Sequence, residues 1–119
     1  MQKKNNIRYF LSGANRDNNE QKLEYARFFS PIVLQRFAEY MHKHRYLANG
    51  EIRDPDNWKK LFGENHEQVC MDSLARHFFD LWLENDGYKS REDKEEAMCG
   101  ILFNTMAYLH KILDVKTKN

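Results

Sequence analysis

Carboxylates and an amide lie along one strip of an otherwise apolar helix in the C-terminal quarter of the sequence, which reads EDKEEAMCGILFNTMAYLHKIL from Glu92 to Leu113. At about 100° per residue, Asp93, Glu96 and Asn104 share this strip. Small residues lie between them and allow close approach by another backbone or a ligand: Gly100 and Ala107. Polar groups beside a core need partners, because burying them unpaired is costly. The partner is another side chain, a metal ion or a substrate.

A second polar strip follows the preceding predicted helix. Charged residues recur there at intervals of four: Asp72, Arg76, Asp80 and Glu84. His77 lies beside this strip, at the edge of the apolar side. Such spacing is typical of a solvated helix face with ion pairs worth about 0.2–0.5 kcal/mol each. The alternative interpretation is a site that this helix shares with the next one.

A shared site is plausible because the connection between the two helices is short and predicts an antiparallel hairpin. Carboxylates brought together in this way repel each other unless a cation lies between them. Hard oxygen ligands suit Mg²⁺, which often also bridges substrate phosphates. The predicted metal ligands are Asp80, Glu84, Asp93 and Glu96, with Asp80 and Glu96 as the expected catalytic carboxylates.

Two ordinary explanations stay open for the same residues. Acidic side chains in a first helical turn complement the helix dipole, which accounts for Asp93 and Glu96 without a metal. An asparagine among apolar neighbours can fix the register of a bundle, which accounts for Asn104 without a substrate. We predict in either case that Asn104 is buried and hydrogen-bonded.

Length and charge restrict the class of protein. A chain of 119 residues is predicted to be one domain, 1–119. Its formal net charge of +1 argues against general nucleic-acid binding. There is neither an apolar run of about 20 residues nor a signal-peptide core, so no membrane partner and a cytoplasmic location are expected. Cys70 and Cys99 are interpreted as small core residues.

The order of elements predicts an all-α fold. Residues 1–29 are expected to be irregular, with a loop over Gly13–Lys22 and a short extended piece around Leu23–Phe29. Ser30 and Pro31 are typical of a helix start. The four predicted helices run over about 30–45, 55–62, 64–85 and 90–113, and residues 115–119 form a flexible tail. Together they predict a compact helical bundle.

The helix starts and ends also follow from local signals. Asp86-Gly87 is expected to end the third helix. Ser90 is expected to cap the fourth, with Asp93 three residues later as an acidic capping box. In the N-terminal loop, Arg16 and Lys22 either receive phosphate groups or belong to an ordinary surface loop.

Four short motifs occur in an order typical of a known family. GANRDNNEQK from Gly13 resembles a G-A-x-R-D…G-K opening, and Asn57-Trp58 follows the first helix. An S-x-x-R-H motif begins at Ser73, and Phe103-Asn104 lies on the last helix. From about Gly13 to Leu113 the chain thus resembles the phage dATP/dGTP diphosphohydrolase N-terminal domain family, a MazG-like, all-α family.

The resemblance implies a phage-type pyrophosphohydrolase that hydrolyses a (deoxy)nucleoside triphosphate with Mg²⁺. A water activated by the cation would attack a phosphorus atom. The substrate-binding residues implied are Arg16, Lys22, Arg76, His77 and Asn104. A homo-oligomer is also expected, because large apolar side chains spread widely around the third helix: Phe78, Phe79, Trp82 and Leu83.

The sequence departs from the family pattern at three places. Gln21-Lys22 replaces G-K, Ala97 stands where the family often has histidine, and His77-x-x-Asp80 replaces a pair of carboxylates. These departures favour a rival hypothesis, a non-catalytic phage binding protein that kept the fold and binds a host protein or sequesters a nucleotide. A purely structural α-bundle is the third alternative.

Overall fold

The computed structural model describes residues 7–17 and 22–118, and at Arg8, Arg16 and Asp17 it describes the backbone alone. The chain divides into two units, an N-terminal unit that ends at Leu34 and a larger unit that begins at Gln35. Most described residues are helical, so the predicted all-α class is confirmed. No described helix is both long enough and apolar enough to cross a membrane.

The N-terminal unit contains a β-hairpin that the sequence pattern did not predict. Strands β1 (Ile7–Tyr9) and β2 (Asn15–Asp17) pair antiparallel, with Arg8 opposite Arg16. Gly13, at φ 91°, allows the turn between them. The prediction of a loop over Gly13–Lys22 is therefore wrong at β2, because strands of three residues are too short to produce a detectable alternation. Residues 18–21 of that loop lie outside the described residues.

A single helical turn, α1 (Tyr25–Phe28), replaces the extended piece predicted around Leu23–Phe29. Helix α2 (Pro31–Lys43) then begins as predicted. The Ser30 hydroxyl accepts a hydrogen bond from the Val33 N–H at 3.4 Å, which satisfies one of the free donors at a helix N-terminus.

Two irregular segments separate α2 from the next helix. An isolated bridge between Tyr46 and Ile52 closes a loop around Gly50, and a 3₁₀ turn at Asn57–Lys60 stands within the predicted 55–62 helix. The turn cannot continue as a helix because the next residue, Leu61, has a φ of 71°, a conformation that is costly for a β-carbon-bearing residue.

Helix α3 (His66–Asn85) ends at Asp86-Gly87, as predicted. Gly87 has a φ of 90°, and the Tyr88 N–H bonds the Leu83 carbonyl at 2.8 Å while the Gly87 N–H bonds Glu84 at 3.1 Å. This pair of bonds is the Schellman arrangement that satisfies the last carbonyls of a helix.

Helix α4 (Lys94–Lys118) begins later than the sequence pattern suggested. Asp93, not Ser90, is the cap, because its Oδ1 accepts the Glu96 N–H at 2.9 Å. The Ser90 hydroxyl instead donates to the Glu92 carbonyl at 2.5 Å. At the other end α4 extends to Lys118, so residues 115–118 are helical. The flexibility predicted for the tail stays a prediction, and Asn119 lies outside the described residues.

Contacts between α3 and α4 confirm the predicted antiparallel hairpin. His66 meets the Ala107 carbonyl, and further along α3 Ser73 meets Asn104. Residue numbers on α3 therefore rise while those of their partners on α4 fall, as in an antiparallel pair.

Small residues let these two helices come close together. Five of the buried residues on this pair are small, namely Cys70, Ala97, Cys99, Gly100 and Ala107, and both cysteines are free, as predicted. At Gly100 a β-carbon would lie 2.5 Å from Cγ and Nδ1 of His77. The His77 ring therefore packs directly against Gly100.

We predict that Gly100→Ala lowers the free energy of unfolding by about 1–3 kcal/mol, because the added methyl group collides with the His77 ring. The cost of the collision should exceed the gain of about 1 kcal/mol that alanine brings to a helix, so the net effect is destabilising. In a His77→Ala background the ring is absent, so the same substitution should become neutral or stabilising. Urea unfolding of the four proteins measures the coupling, and an equal effect of Gly100→Ala in both backgrounds would contradict the packing described.

Candidate functional site

One histidine and two carboxylates come together where α3 ends and α4 begins. One ligand atom from each of His77, Asp80 and Glu92 lies within 4.8 Å of the others. His77 and Asp80 are one turn apart on α3, and Glu92 lies just before α4. His77 Nδ1 forms a short hydrogen bond with Glu92 Oε1. We call these three residues the trio.

Arg91 neutralises one of the two carboxylates. Asp80 is only 2% exposed, and the Arg91 guanidinium donates to its Oδ2 through Nη2 at 2.5 Å and Nε at 3.1 Å. This guanidinium lowers the pKa of the Asp80 carboxyl below its ordinary value, in spite of the opposing effect of burial. The two carboxyl groups of the trio thus face a single guanidinium, and the pKa of Asp80 is lowered further by a hydrogen bond with Glu92. A bound cation would balance the carboxyl group that Arg91 leaves without a partner charge.

Glu96 belongs to a different group of charges. Its Oε1 accepts from Lys43 Nζ at 2.7 Å and from Arg36 Nη2 at 3.1 Å, and Arg36 also bonds Glu95. Lys43 and then Arg36 lower the pKa of Glu96. The charge of Glu96 is therefore compensated by α2.

The four predicted metal ligands are not one cluster. Asp80 is in the trio, whereas Glu96 pairs with α2 and Asp93 caps α4. Glu84 is half-buried on the last turn of α3 and makes no ion pair within the described part of the chain. Asp80 and Glu96, the expected catalytic carboxylates of a shared site, lie apart: Asp80 lines an open groove with Arg76 and Arg91, and Glu96 does not line it.

A cavity of about 510 Å³ lies beside the trio within the C-terminal unit. Four aromatic side chains form much of its wall: Tyr40, Trp58, Phe62 and Phe103. His77, Ser73 and Asn104 also line it, so one residue of the trio faces this cavity. Apolar walls with a few polar groups are typical of small-molecule sites. We call it the aromatic cavity.

A buried histidine holds part of the aromatic wall in place. His66 is fully buried, and its Nδ1 accepts the Phe62 N–H at 3.1 Å. Since Nδ1 is an acceptor, the ring hydrogen is on Nε2, which donates to the Ala107 carbonyl at 3.0 Å. A neutral imidazole thus joins the Phe62 segment to both α3 and α4, and the Phe62 ring stacks on it at 5.1 Å.

Asn104 is 3% exposed and hydrogen-bonded, as predicted. Its amide group donates to Ser73 Oγ at 3.0 Å and to the Gly100 carbonyl at 2.8 Å. Its carbonyl oxygen accepts no hydrogen bond from the residues that the structure describes.

Tyr40 lines the same cavity, and burial raises the pKa of its hydroxyl to about 12, which keeps the hydroxyl protonated.

Two arginines lie on another wall of the aromatic cavity, in the loop between α2 and the 3₁₀ turn. Arg45 Nε donates to the Arg53 carbonyl at 2.8 Å, and Arg53 Nη1 donates to the His44 carbonyl at 3.1 Å. Both arginines line the cavity, and within residues 7–17 and 22–118 no carboxylate forms an ion pair with either.

The predicted substrate-binding residues fall into three places. His77 and Asn104 line the aromatic cavity, and Arg76 is exposed in the open groove with Asp80. Arg16 and Lys22 belong to the N-terminal unit, where Lys22 is exposed and the Arg16 side chain is not described. The phosphate-binding role predicted for these two stays a prediction.

Sequence reasoning missed the residues that pair across the structure. Glu92 was not among the predicted metal ligands or substrate-binding residues, and Arg91 was not considered. Arg45 and Arg53 flank Asn49-Gly50, a turn signal that places two chain segments side by side. Asn49-Gly50 was therefore the one feature of the sequence that could have indicated that the two arginines lie side by side.

We predict that Arg91→Gln lowers the free energy of unfolding by about 1–3 kcal/mol at pH 7, because Asp80 is left buried without its cation. The pKa of Asp80 in the folded state lies below its ordinary value of 3.8. The ion pair therefore adds to the free energy of unfolding above pH 3.8, and this stabilisation is lost as the pH falls through the folded-state pKa. The difference between the two proteins should therefore shrink below about pH 4.

Chemical denaturation from pH 7 to pH 3 measures this difference. Arg76→Gln is the control, since Arg76 is exposed in the same groove and forms no ion pair with a described residue. A difference that stays constant over this pH range would contradict the assigned role of Arg91.

Comparisons with protein-family models, with curated proteins and with solved structures found no match. The resemblance to the phage diphosphohydrolase family therefore stays a prediction from motifs, and the geometry of the site is the basis for a functional proposal.

Proposed function

We propose that this chain binds a (deoxy)nucleoside triphosphate in the aromatic cavity and hydrolyses it to the monophosphate and pyrophosphate with a divalent cation. The observation that carries the proposal is the position of His77, which belongs to the trio and also lines the cavity. A ligand held by the aromatic wall would thus lie next to a group of metal-binding side chains.

The cavity suits a nucleoside in size and chemistry. Its volume of about 510 Å³ lies in the range of small-molecule sites. Trp58, Phe62 and Phe103 offer flat apolar surfaces on which a base can stack. The free carbonyl oxygen of Asn104 can accept a hydrogen bond from the base or sugar.

The trio suits a divalent cation. Carboxylates are common metal ligands, and two carboxyl groups facing a single guanidinium favour a cation. Their oxygen atoms suit Mg²⁺, the cation proposed, and also Mn²⁺, which can replace it in binding measurements. A cation there would neutralise phosphate charge and lower the pKa of a water molecule.

The residues of this chain can move the proton that the reaction releases. Within the described residues Nε2 of His77 has no hydrogen-bond partner, so it can accept the proton of the attacking water. Glu92, on Nδ1, would stabilise the resulting imidazolium. The water oxygen would add to the α-phosphorus, and the bond from that phosphorus to the bridging oxygen would break as pyrophosphate leaves.

One observation favours the rival function, a protein that binds a nucleotide or a host protein without turnover. Asp80 and Glu96 are both already paired with cationic side chains, as expected for carboxylates with a structural role. In this alternative the aromatic cavity binds its ligand and the trio holds the helix ends together. A bacteriophage origin and a cytoplasmic location stay predictions from the sequence.

A homodimer is part of the proposal. Phe79 and Trp82 on α3 are 55% and 57% exposed, and Phe78 beside them is half-exposed. Large exposed apolar patches mark interaction surfaces in soluble proteins. Sedimentation should show a dimer, and Phe79→Ser should shift it towards monomer; a monomer at tens of micromolar would contradict this part of the proposal.

We predict that nucleoside triphosphates raise the melting temperature more in the presence of Mg²⁺ or Mn²⁺ than without a cation, because both ligands bind the folded state. Product analysis should detect the monophosphate and pyrophosphate only with the cation. Binding without turnover for every nucleotide would support the rival function. The absence of any nucleotide binding would refute the proposed function and would leave a host protein as the partner in the rival function.

Two matched variants test which carboxylates matter. Glu92→Gln should abolish turnover and weaken Mn²⁺ binding, measured by calorimetry, because it removes a charge from the trio. Glu96→Gln should lower stability while keeping Mn²⁺ binding, because Glu96 pairs with Lys43 and Arg36. Asp72→Asn, at an exposed position of α3, is the control. Loss of Mn²⁺ binding in Glu96→Gln alone would favour the ligand set predicted from sequence.

A further inference from the structure

We propose that Arg45 and Arg53 form a phosphate-binding subsite of the aromatic cavity, which receives the polyphosphate part of the ligand. The identity of the rest of that ligand rests on the proposed function, whereas the affinity for polyphosphate follows from the arginines alone.

The loop that carries the two arginines is held by its own backbone. The Arg53 N–H donates to the Arg45 carbonyl at 2.8 Å, and the Leu47 N–H donates to the Glu51 carbonyl at 2.9 Å. The bridge between Tyr46 and Ile52 lies between these bonds. Arg45 and Arg53 are therefore neighbours across a small hairpin.

The side chains of the pair are fixed by main-chain carbonyls. Arg45 uses Nε on the Arg53 carbonyl, and Arg53 uses Nη1 on the His44 carbonyl. A guanidinium has five N–H donors, so most of the donors of each arginine stay available. Because the anchors are already made, a ligand that binds the free donors restricts little additional motion.

The charge around the pair favours an anion. Arg36 and Arg91 each meet a carboxylate, whereas within the described part of the chain Arg45 and Arg53 meet none. Asp54 is the acidic residue lining the aromatic cavity, against these two arginines. A cavity wall with excess positive charge and free planar donors matches the oxygen atoms of a phosphate chain.

The subsite also lies near the trio. Arg45, Arg53 and His77 all line the aromatic cavity. His44 lines it too, and its pKa is lowered first by burial and also by the positive charges of Lys43 and Arg53. A phosphate chain on the arginine pair would therefore extend into the cavity that His77 also lines, as the proposed hydrolysis requires.

The test uses inorganic tripolyphosphate, which has no base or sugar, in calorimetric titrations without added divalent cation. Arg53→Gln should weaken binding about tenfold or more, because a charge-assisted contact is lost. Arg53→Lys should recover part of the affinity, since lysine keeps the charge without the planar fork. Lys116→Gln, at an exposed position near the end of α4, is the control for net charge.

Adenosine, which is uncharged, tests whether the cavity survives the substitution. The subsite is supported if tripolyphosphate binding is lost in Arg53→Gln but kept in Lys116→Gln. Unchanged adenosine binding by Arg53→Gln shows that the aromatic wall is intact. If the wild type binds tripolyphosphate in this way but neither adenosine nor any nucleotide, the proposed function fails and the subsite stands. Equal affinity in Arg53→Gln and wild type, equal loss in both variants, or no binding by the wild type would overturn the subsite.

Discussion

The close approach of α3 and α4 at Gly100 is the constraint on which the rest of the site depends. Because Gly100 has no side chain, the His77 ring lies against α4, from where its Nδ1 reaches Glu92. One turn further along α4, the same proximity brings Asn104 to Ser73. The bond of His77 to Glu92 and the bond of Asn104 to Ser73 thus both depend on this close approach.

The acidic start of α4 shows how one sequence feature can serve several structural purposes. Asp93 satisfies a backbone N–H at the helix terminus, Glu96 binds α2 through two cations, and Glu92 binds His77. The helix-dipole explanation is sufficient for the first of these residues only. The other two meet side chains from elements distant in sequence, so composition alone did not separate their roles.

Local signals predicted the parts of the fold that local interactions determine. Ser30 at a helix start, Gly87 at a helix end and the buried amide of Asn104 each depend on neighbouring residues or on helical periodicity. The hairpin of β1 and β2 was missed because three-residue strands carry almost no pattern. The ion pairs of Arg36 with Glu96 and of Arg91 with Asp80 depend on how helices pack and turn, which periodicity does not specify.

Under the proposed function, the choice between a catalyst and a binding protein would depend largely on Arg91. Asp80 is buried and fixed on α3, while the Arg91 side chain is 64% exposed, so a cation that took its place on Asp80 would release Arg91 into water. A divalent cation at the trio would replace one positive charge by two, next to the carboxyl groups of Asp80 and Glu92. The cation would therefore attract Asp80 and Glu92 more strongly than the guanidinium does. The cost of removing water ligands from the cation opposes this gain. Arg91 keeps Asp80 ionised and correctly oriented in the meantime, so a residue that looks structural also preserves the trio in a form that can accept a cation.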